Sequence, residues 1–87
     1  MDNQLELLKA SALLNDRAAQ AGFAALREGM TEREVADVIR KHYKDNGAQP
    51  EFTIVCFGAN GAFPHHHTGE TTLKAGDAVL IDTGCRL

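Results

Sequence analysis

The most constraining feature of this chain is an aspartate that closes an apolar run, Ala78-Val79-Leu80-Ile81-Asp82. A β-branched stretch of this kind reads as a strand. A carboxylate carried into such a strand is costly to bury unless something pairs with it, and a metal ion is one such partner. Shortly before it, Pro64-His65-His66-His67 places three of the four histidines in one loop. These two stretches form the candidate site, and everything upstream reads as scaffold for them.

The scaffold begins with a Leu- and Ala-rich segment from about Asn3 to Glu28 that contains no proline. Leu7, Ala10, Leu14, Ala18, Ala21 and Ala25 recur at spacings of three and four, one stripe of a helix. Asp2 or Asn3 is expected to cap its start, and Gly29 to supply a left-handed stop. Gly22 weakens the interior by about 1 kcal/mol relative to alanine. Thr31-Glu32-Arg33-Glu34 then fits a capping box, with Thr31 as N-cap and Glu34 reaching back to it. Val35, Val38, Ile39, His42 and Tyr43 follow with helical spacing, and Gly47 ends the helix. His42 sits at the edge of that stripe, where a packed or half-exposed histidine is the default.

Gln49-Pro50 breaks the pattern, and Phe52-Thr53-Ile54-Val55-Cys56-Phe57 reads as a strand. Phe52, Ile54 and Cys56 share one face and Thr53, Val55 and Phe57 the other, so a strand covered on both sides is expected. A second strand is expected over Ala78 to Thr83, opened by the turn Lys74-Ala75-Gly76-Asp77. Asp82, Leu80 and Ala78 alternate onto one face, Val79 and Ile81 onto the other. Some twenty residues separate the two strands, a length that in a compact domain is functional or disordered. Phe63, His65 and Leu73 are poor linker residues and argue for function.

Eighty-seven residues allow one domain. An apolar fraction of 44% with 24% charged residues is a globular composition. A net charge of −3 with scattered basic residues excludes a phosphate-backbone footprint, so no nucleic-acid partner is expected. No apolar run is long enough to span a bilayer, and Asp2 and Glu6 interrupt the first leucines, unlike a signal peptide. Cys56 and Cys85 are expected as reduced thiols in a core, which fits a cytoplasmic protein without membrane contact. An aspartate at a strand end can hold a hard or borderline cation through oxygen, and histidine can bind metal or stabilise charge beside one. In an extended run His65 and His67 converge while His66 points away. From the residues alone, a metal or catalytic role and a solvated, hydrogen-bonded loop are both open readings.

Four pieces occur here in one order: Gly29-Met30-Thr31-Glu32, the Phe52–Phe57 strand, Gly58-Ala59-Asn60-Gly61-Ala62-Phe63-Pro64-His65, and Gly76-Asp77-Ala78-Val79-Leu80-Ile81-Asp82-Thr83-Gly84. That order resembles the first half of the catalytic domain of the pita-bread metallopeptidases. The family includes methionine aminopeptidase, Xaa-Pro aminopeptidase, Xaa-Pro dipeptidase (prolidase) and creatinase. The resemblance implies an α+β fold, with two N-terminal helices followed by strands of an antiparallel sheet. It makes residues 1–87 the N-terminal part of one catalytic domain. By the same match Asp82 is a metal ligand, and His65 sits beside the metals, contacting substrate and stabilising the transition state. His66 and His67 match no required ligand, and Asp77 matches a residue with a structural role in the turn. Pro64 before His65 is closer to the Xaa-Pro branch than to methionine aminopeptidase, which has Cys there.

The resemblance further implies two divalent ions, manganese or cobalt and in some members zinc, that activate water against a peptide or dipeptide with proline in second position. The family's other ligands, a second Asp, a His and two Glu, lie C-terminal to the matched element. The chain is therefore expected to be a fragment, inactive alone, and to form a homo-oligomer through an exposed sheet edge. Alternatives are a non-catalytic peptide- or protein-binding module of the same fold, a methionine aminopeptidase, and a small domain with a mononuclear zinc site on His65, His67 and Asp82.

Overall fold

The computed structural model describes residues 2–59 and 68–87. Helix α1 (Asp2–Ala25) leads to helix α2 (Glu32–Asp45), then strand β1 (Gln49–Phe57) and strand β2 (Val79–Arg86). Among the described residues the two strands form one antiparallel sheet, with both helices packed on one of its faces. The core between the layers gathers Leu14 and Ala18 of α1, Val35, Ala36, Ile39 and Tyr43 of α2, and Val55 and Phe57 of β1. Val79, Ile81 and Cys85 of β2 pack against it from the sheet.

Each boundary has a local cause. The expected stripe of α1 is buried only in its middle, at Leu14 and Ala18, while Leu7 and Ala10 are exposed. The capping expected of Asp2 or Asn3 rests on side chains outside those described. The helix stops at Ala25 rather than Glu28, so Gly29 is not its C-terminal stop. Gly29, at φ 91°, instead occupies the third position of a turn in which Met30 N–H donates to Arg27 C=O at 3.1 Å. That position of a type II turn demands positive φ. The capping box of α2 is present as expected. Thr31 Oγ1 accepts from Glu34 N–H at 3.1 Å, and Glu34 Oε1 accepts from Thr31 N–H at 3.0 Å. At the other end Gly47 N–H donates to Lys44 C=O and Ala48 N–H to Tyr43 C=O, with Gly47 at φ 76°. This is the Schellman arrangement, for which glycine has no steric cost.

Gly22 is more than a tolerated weakness. A Cβ built there would stand 2.8 Å from both Cγ1 and Cδ1 of Ile39, so the missing side chain is what lets the two helices cross this closely. The strands are longer than expected. Pro50 lies inside β1, next to a bulge between Pro50 and Phe52, a place where a missing N–H does little harm. The segment after the second turn of the chain, residues 69–73, runs back along the α1–α2 connection. Leu73 N–H donates to Met30 C=O at 2.7 Å and its C=O accepts from Gly29 N–H at 2.8 Å, and Glu32 and Arg33 N–H groups donate to Thr71 and Gly69 C=O at 3.0 and 2.9 Å. Two of the donors that a helix N-terminus leaves orphaned are thereby satisfied.

The expected alternation holds on both strands, and the expected cover of both faces is found in part among the described residues, since Cys56 on the face away from the helices is 3% exposed. Thr53, Val55, Phe57, Val79, Ile81 and Thr83 face the helices. Phe52, Ile54 and Leu80 lie on the opposite face and are 48%, 36% and 50% exposed among the described residues. Both described helices sit on one side.

Candidate active site

Asp82 stands on β2 directly opposite Ile54 of β1, on the open face beside Leu80. It is exposed, which corrects the premise that this carboxylate is buried in the strand and must find a partner there. The alternation puts it on the face away from the helices, and that is the reason it escapes desolvation. As an exposed carboxylate it is a competent oxygen donor to a hard cation.

The face that Asp82 takes is fixed by its neighbour. Thr83 points into the helix side, where its Oγ1 donates to Phe52 C=O at 3.0 Å and lies 3.2 Å from Thr53 Oγ1. The buried Tyr43 hydroxyl reaches the same place and is shared between Asn15 Oδ1 at 2.9 Å and Thr83 Oγ1 at 3.1 Å. Burial pushes the Tyr43 phenol up, the bond to Thr83 lowers it, and the Cys85 charge adds to the rise.

His65, with Pro64, His66 and His67, lies outside the described residues. Its flanks are described. Gly58, at φ 58°, donates its N–H to Ala78 C=O at 2.8 Å and lies against the Asp77 carboxylate. Asp77 has the turn role expected of it, because its Oδ2 accepts from Lys74 N–H at 2.9 Å. On the return side Thr68 Oγ1 accepts from Val55 N–H at 2.7 Å and donates to Val55 C=O at 3.1 Å. A single hydroxyl thus satisfies both outward groups of Val55 on the outer edge of β1. His42 is half-buried on α2, as expected.

One buried charge was missed. Glu32, the first residue of α2, is fully buried and its carboxylate accepts from Phe57 N–H at 2.8 Å and Gly69 N–H at 3.1 Å. The signal was present in the sequence, since Glu32 precedes Val35, Ala36, Ile39 and Tyr43 at helical spacings and so lies on their apolar stripe. A charge on such a stripe must be hydrogen-bonded.

The two thiols are free, as expected. Cys56 lies opposite Leu80, and Cys85 is five residues further along β2 and on the other face. At the usual strand rise that separation is about 17 Å, far beyond disulfide reach. Burial pushes both thiols up, with the Glu32 charge adding for Cys56 and the Glu51 charge for Cys85. Raised thiols are poor nucleophiles near neutral pH.

As a metal centre the described part is incomplete. Among the described residues no three His, Cys, Asp or Glu side chains group closely enough to hold an ion. Asp82 fits one oxygen position of a divalent cation, and a mononuclear zinc site on His65, His67 and Asp82 would draw two ligands from outside those residues. A cleft of about 430 Å³ lies elsewhere, between Leu7, Leu8 and Ser11 of α1 and Cys85 to Leu87, and Asp82 does not line it.

Comparison with known proteins gives concordant matches. The model of metallopeptidase family M24 matches residues 6–87. The protein YkvY of Bacillus subtilis is 45% identical over 85 residues, covering 95% of this chain and 23% of its own length. The Xaa-Pro dipeptidase of Pyrococcus furiosus is 35% identical over 83 residues, covering 93% of this chain and 24% of its own. Among solved structures, the prolidase from Pyrococcus furiosus superposes with a TM-score of 0.93 at 33% identity, over 99% of this chain and 28% of that one. The X-Pro aminopeptidase from Thermotoga maritima superposes at 0.89 and 30% identity, over 99% of this chain and 25% of that one. The chain thus spans about a quarter of the length of the relatives it matches.

Proposed function

The chain belongs to metallopeptidase family M24 and has the two-helix, antiparallel-strand architecture of the pita-bread fold, and from that premise we propose that it forms one wall of a two-metal Xaa-Pro peptidase centre. Residues 1–87 are the N-terminal part of the catalytic domain in this reading. Its substrates are peptides or dipeptides with proline in second position. The observation that carries it is the exposed Asp82 carboxylate on the open sheet face, at the position the resemblance assigns to a ligand.

Asp82 would hold a divalent ion, manganese or cobalt before zinc. When bound, such ions lower the pKa of water and polarise the scissile carbonyl. His65 would donate to the oxygen on which charge develops, a role in which a preorganised donor counts most in the transition state. The described residues supply one ligand, so no step is derived beyond holding and orienting. The isolated 87-residue chain is proposed to be inactive and to self-associate through the outer edge of β2, because Thr68 and Glu32 already occupy that of β1 at Val55 and Phe57. A cytoplasmic setting is proposed from the two unpaired thiols. No described helix is long and apolar enough to cross a membrane.

The test is hydrolysis of an Xaa-Pro dipeptide with added manganese, by the intact enzyme carrying this chain and by residues 1–87 alone. The intact enzyme should turn over. Asp82→Asn should lose one manganese in titration calorimetry, and His65→Ala should lower kcat by about 100-fold. Metal-dependent turnover by the 87 residues alone contradicts the reading. Peptide binding without turnover by the intact protein replaces it with the non-catalytic module.

A further inference from the structure

We infer that Thr83 is a positioning residue for Asp82, tying the stretch of β2 that carries this carboxylate to both helices and to β1 through a contact with the Tyr43 hydroxyl. The inference rests on the role proposed for Asp82 as a ligand of a divalent ion. Thr83 follows Asp82 directly on β2, and successive side chains of a strand point to opposite faces. Whatever fixes Thr83 on the helix side therefore fixes the backbone from which Asp82 projects on the open side.

Four elements meet at that point. Tyr43 of α2 places its hydroxyl 2.9 Å from Asn15 Oδ1 of α1 and 3.1 Å from Thr83 Oγ1. Thr83 Oγ1 in turn donates to the Phe52 C=O of β1 and lies 3.2 Å from Thr53 Oγ1. These contacts fall where β1 is least regular. The ladder shifts register between Pro50 and Phe52, two positions from Ile54, which stands opposite Asp82. A bulge disrupts the ladder locally and bends its strand, and the Thr83 hydroxyl gives the Phe52 carbonyl a donor beside that break. Shape does not require threonine here. Val79 and Ile81, on the same face of β2, pack against the core as aliphatic side chains. Valine would fill the outline of Thr83, and phenylalanine that of the fully buried Tyr43, without carrying an oxygen inward. What the two hydroxyls add is direction, because a satisfied polar network rigidifies the elements it joins. A metal ligand needs that, since productive geometry is met only within about 0.5 Å.

Thr83→Val keeps the outline and removes the hydroxyl, and Thr83→Ser puts the hydroxyl back. The readout is titration calorimetry of the metal-free intact enzyme with manganese. The ion that Asp82→Asn loses should bind about 10-fold more weakly in Thr83→Val and in Tyr43→Phe, the low end of what losing an outer partner does to metal affinity. Thr83→Ser should bind it as the parent does. The double variant Thr83→Val, Tyr43→Phe should be no weaker than Thr83→Val alone, because both substitutions break the same contact. Hydroxyls that only stabilise the fold would lower the urea midpoint of the metal-free enzyme and leave the manganese dissociation constant unchanged. That result in Thr83→Val and Tyr43→Phe overturns the proposal, as does failure of serine to restore binding. If Thr83→Val does not fold, Tyr43→Phe carries the test alone, and if neither folds, the network builds the fold and the proposal fails. Full manganese binding by Asp82→Asn would instead remove the reading of Asp82 on which the inference rests.

Discussion

Replacing Gly22 with alanine puts a methyl group where α1 and α2 cross, and two effects of opposite sign meet there. In an exposed helix the change stabilises by about 1 kcal/mol, because glycine carries the larger backbone entropy. Here the new Cβ would lie 2.8 Å from Cγ1 and from Cδ1 of Ile39 and 3.3 Å from Cδ1 of Ile81. Ile39 is fully buried, and its Cγ1 sits at a β-branch with little rotamer freedom inside a helix. Relief must come from separating the helices or from a strained rotamer, and overpacking of this kind costs about 1–3 kcal/mol. The clash wins, so Gly22→Ala should destabilise by about 1 kcal/mol. In a domain of this size that lowers Tm by about 4–8 °C. Urea and thermal unfolding followed by far-UV circular dichroism read the change. Ile39→Val, which removes Cδ1 and by itself costs about 1 kcal/mol, should restore about 0.5 kcal/mol or more in the double variant through coupling. A Gly22→Ala variant as stable as the parent, with no coupling to Ile39, would refute the close crossing.

Tyr43→Phe removes a hydroxyl shared by Asn15 and Thr83 and should cost about 1–2 kcal/mol, seen as a lower urea midpoint with an unchanged slope. The same residue sets an alkaline limit. With Tyr43, Cys56 and Cys85 all raised by burial, the folded state holds these protons longer than the unfolded chain. Their contribution is complete below the unfolded values, about 8.5 for thiols and about 10 for tyrosine, and is lost as pH rises past them. Melting temperature should be level near neutral pH and fall above that range, and Tyr43→Phe should flatten the upper part of the fall. Thr31→Ala removes the capping-box acceptor for Glu34 N–H and should cost about 1 kcal/mol, recovered by Thr31→Ser. Equal stability of the Ala and Ser variants would show that the cap carries no weight.

What could be read from the sequence was local. The capping box at Thr31 and Glu34, the glycine after α2, the turn acceptor Asp77 and the two faces of each strand are all set by neighbours within a few positions, and all are found in the structure. The misreadings concern relations between elements. Alternation tells which side chains share a face with Asp82 but not which face the helices cover, so its apolar company was mistaken for burial. Gly29 has the positive φ expected of it, yet whether it ends α1 or makes a separate turn depends on the pairing of Met30 with Leu73, which is contributed from a distant part of the chain. The burial of Glu32 is legible in its place on the apolar stripe of α2, but its partners, Phe57 and Gly69, are remote backbone groups that no spacing rule points to.

These long-range contacts also explain how a short chain orients its one described ligand candidate. A slip of β2 by one residue against β1 would exchange its faces, turning Asp82 into the helices and Ile81 out to solvent. Hydrophobic pattern alone resists that slip weakly, because Phe52, Ile54 and Leu80 make the open face nearly as apolar as the covered one. The polar cluster supplies the discrimination. With Thr83 under the helices, the Tyr43 hydroxyl gains an acceptor besides Asn15, Thr53 gains a hydroxyl partner and the Phe52 carbonyl gains a donor. In the slipped register Gly84 or the Asp82 carboxylate would stand opposite Thr53, the Thr83 hydroxyl would be lost to the cluster, and each group left unsatisfied or each charge carried inward would cost about 1–3 kcal/mol or more. Thr83 therefore determines the direction in which Asp82 points, and the buried Tyr43 determines that of Thr83.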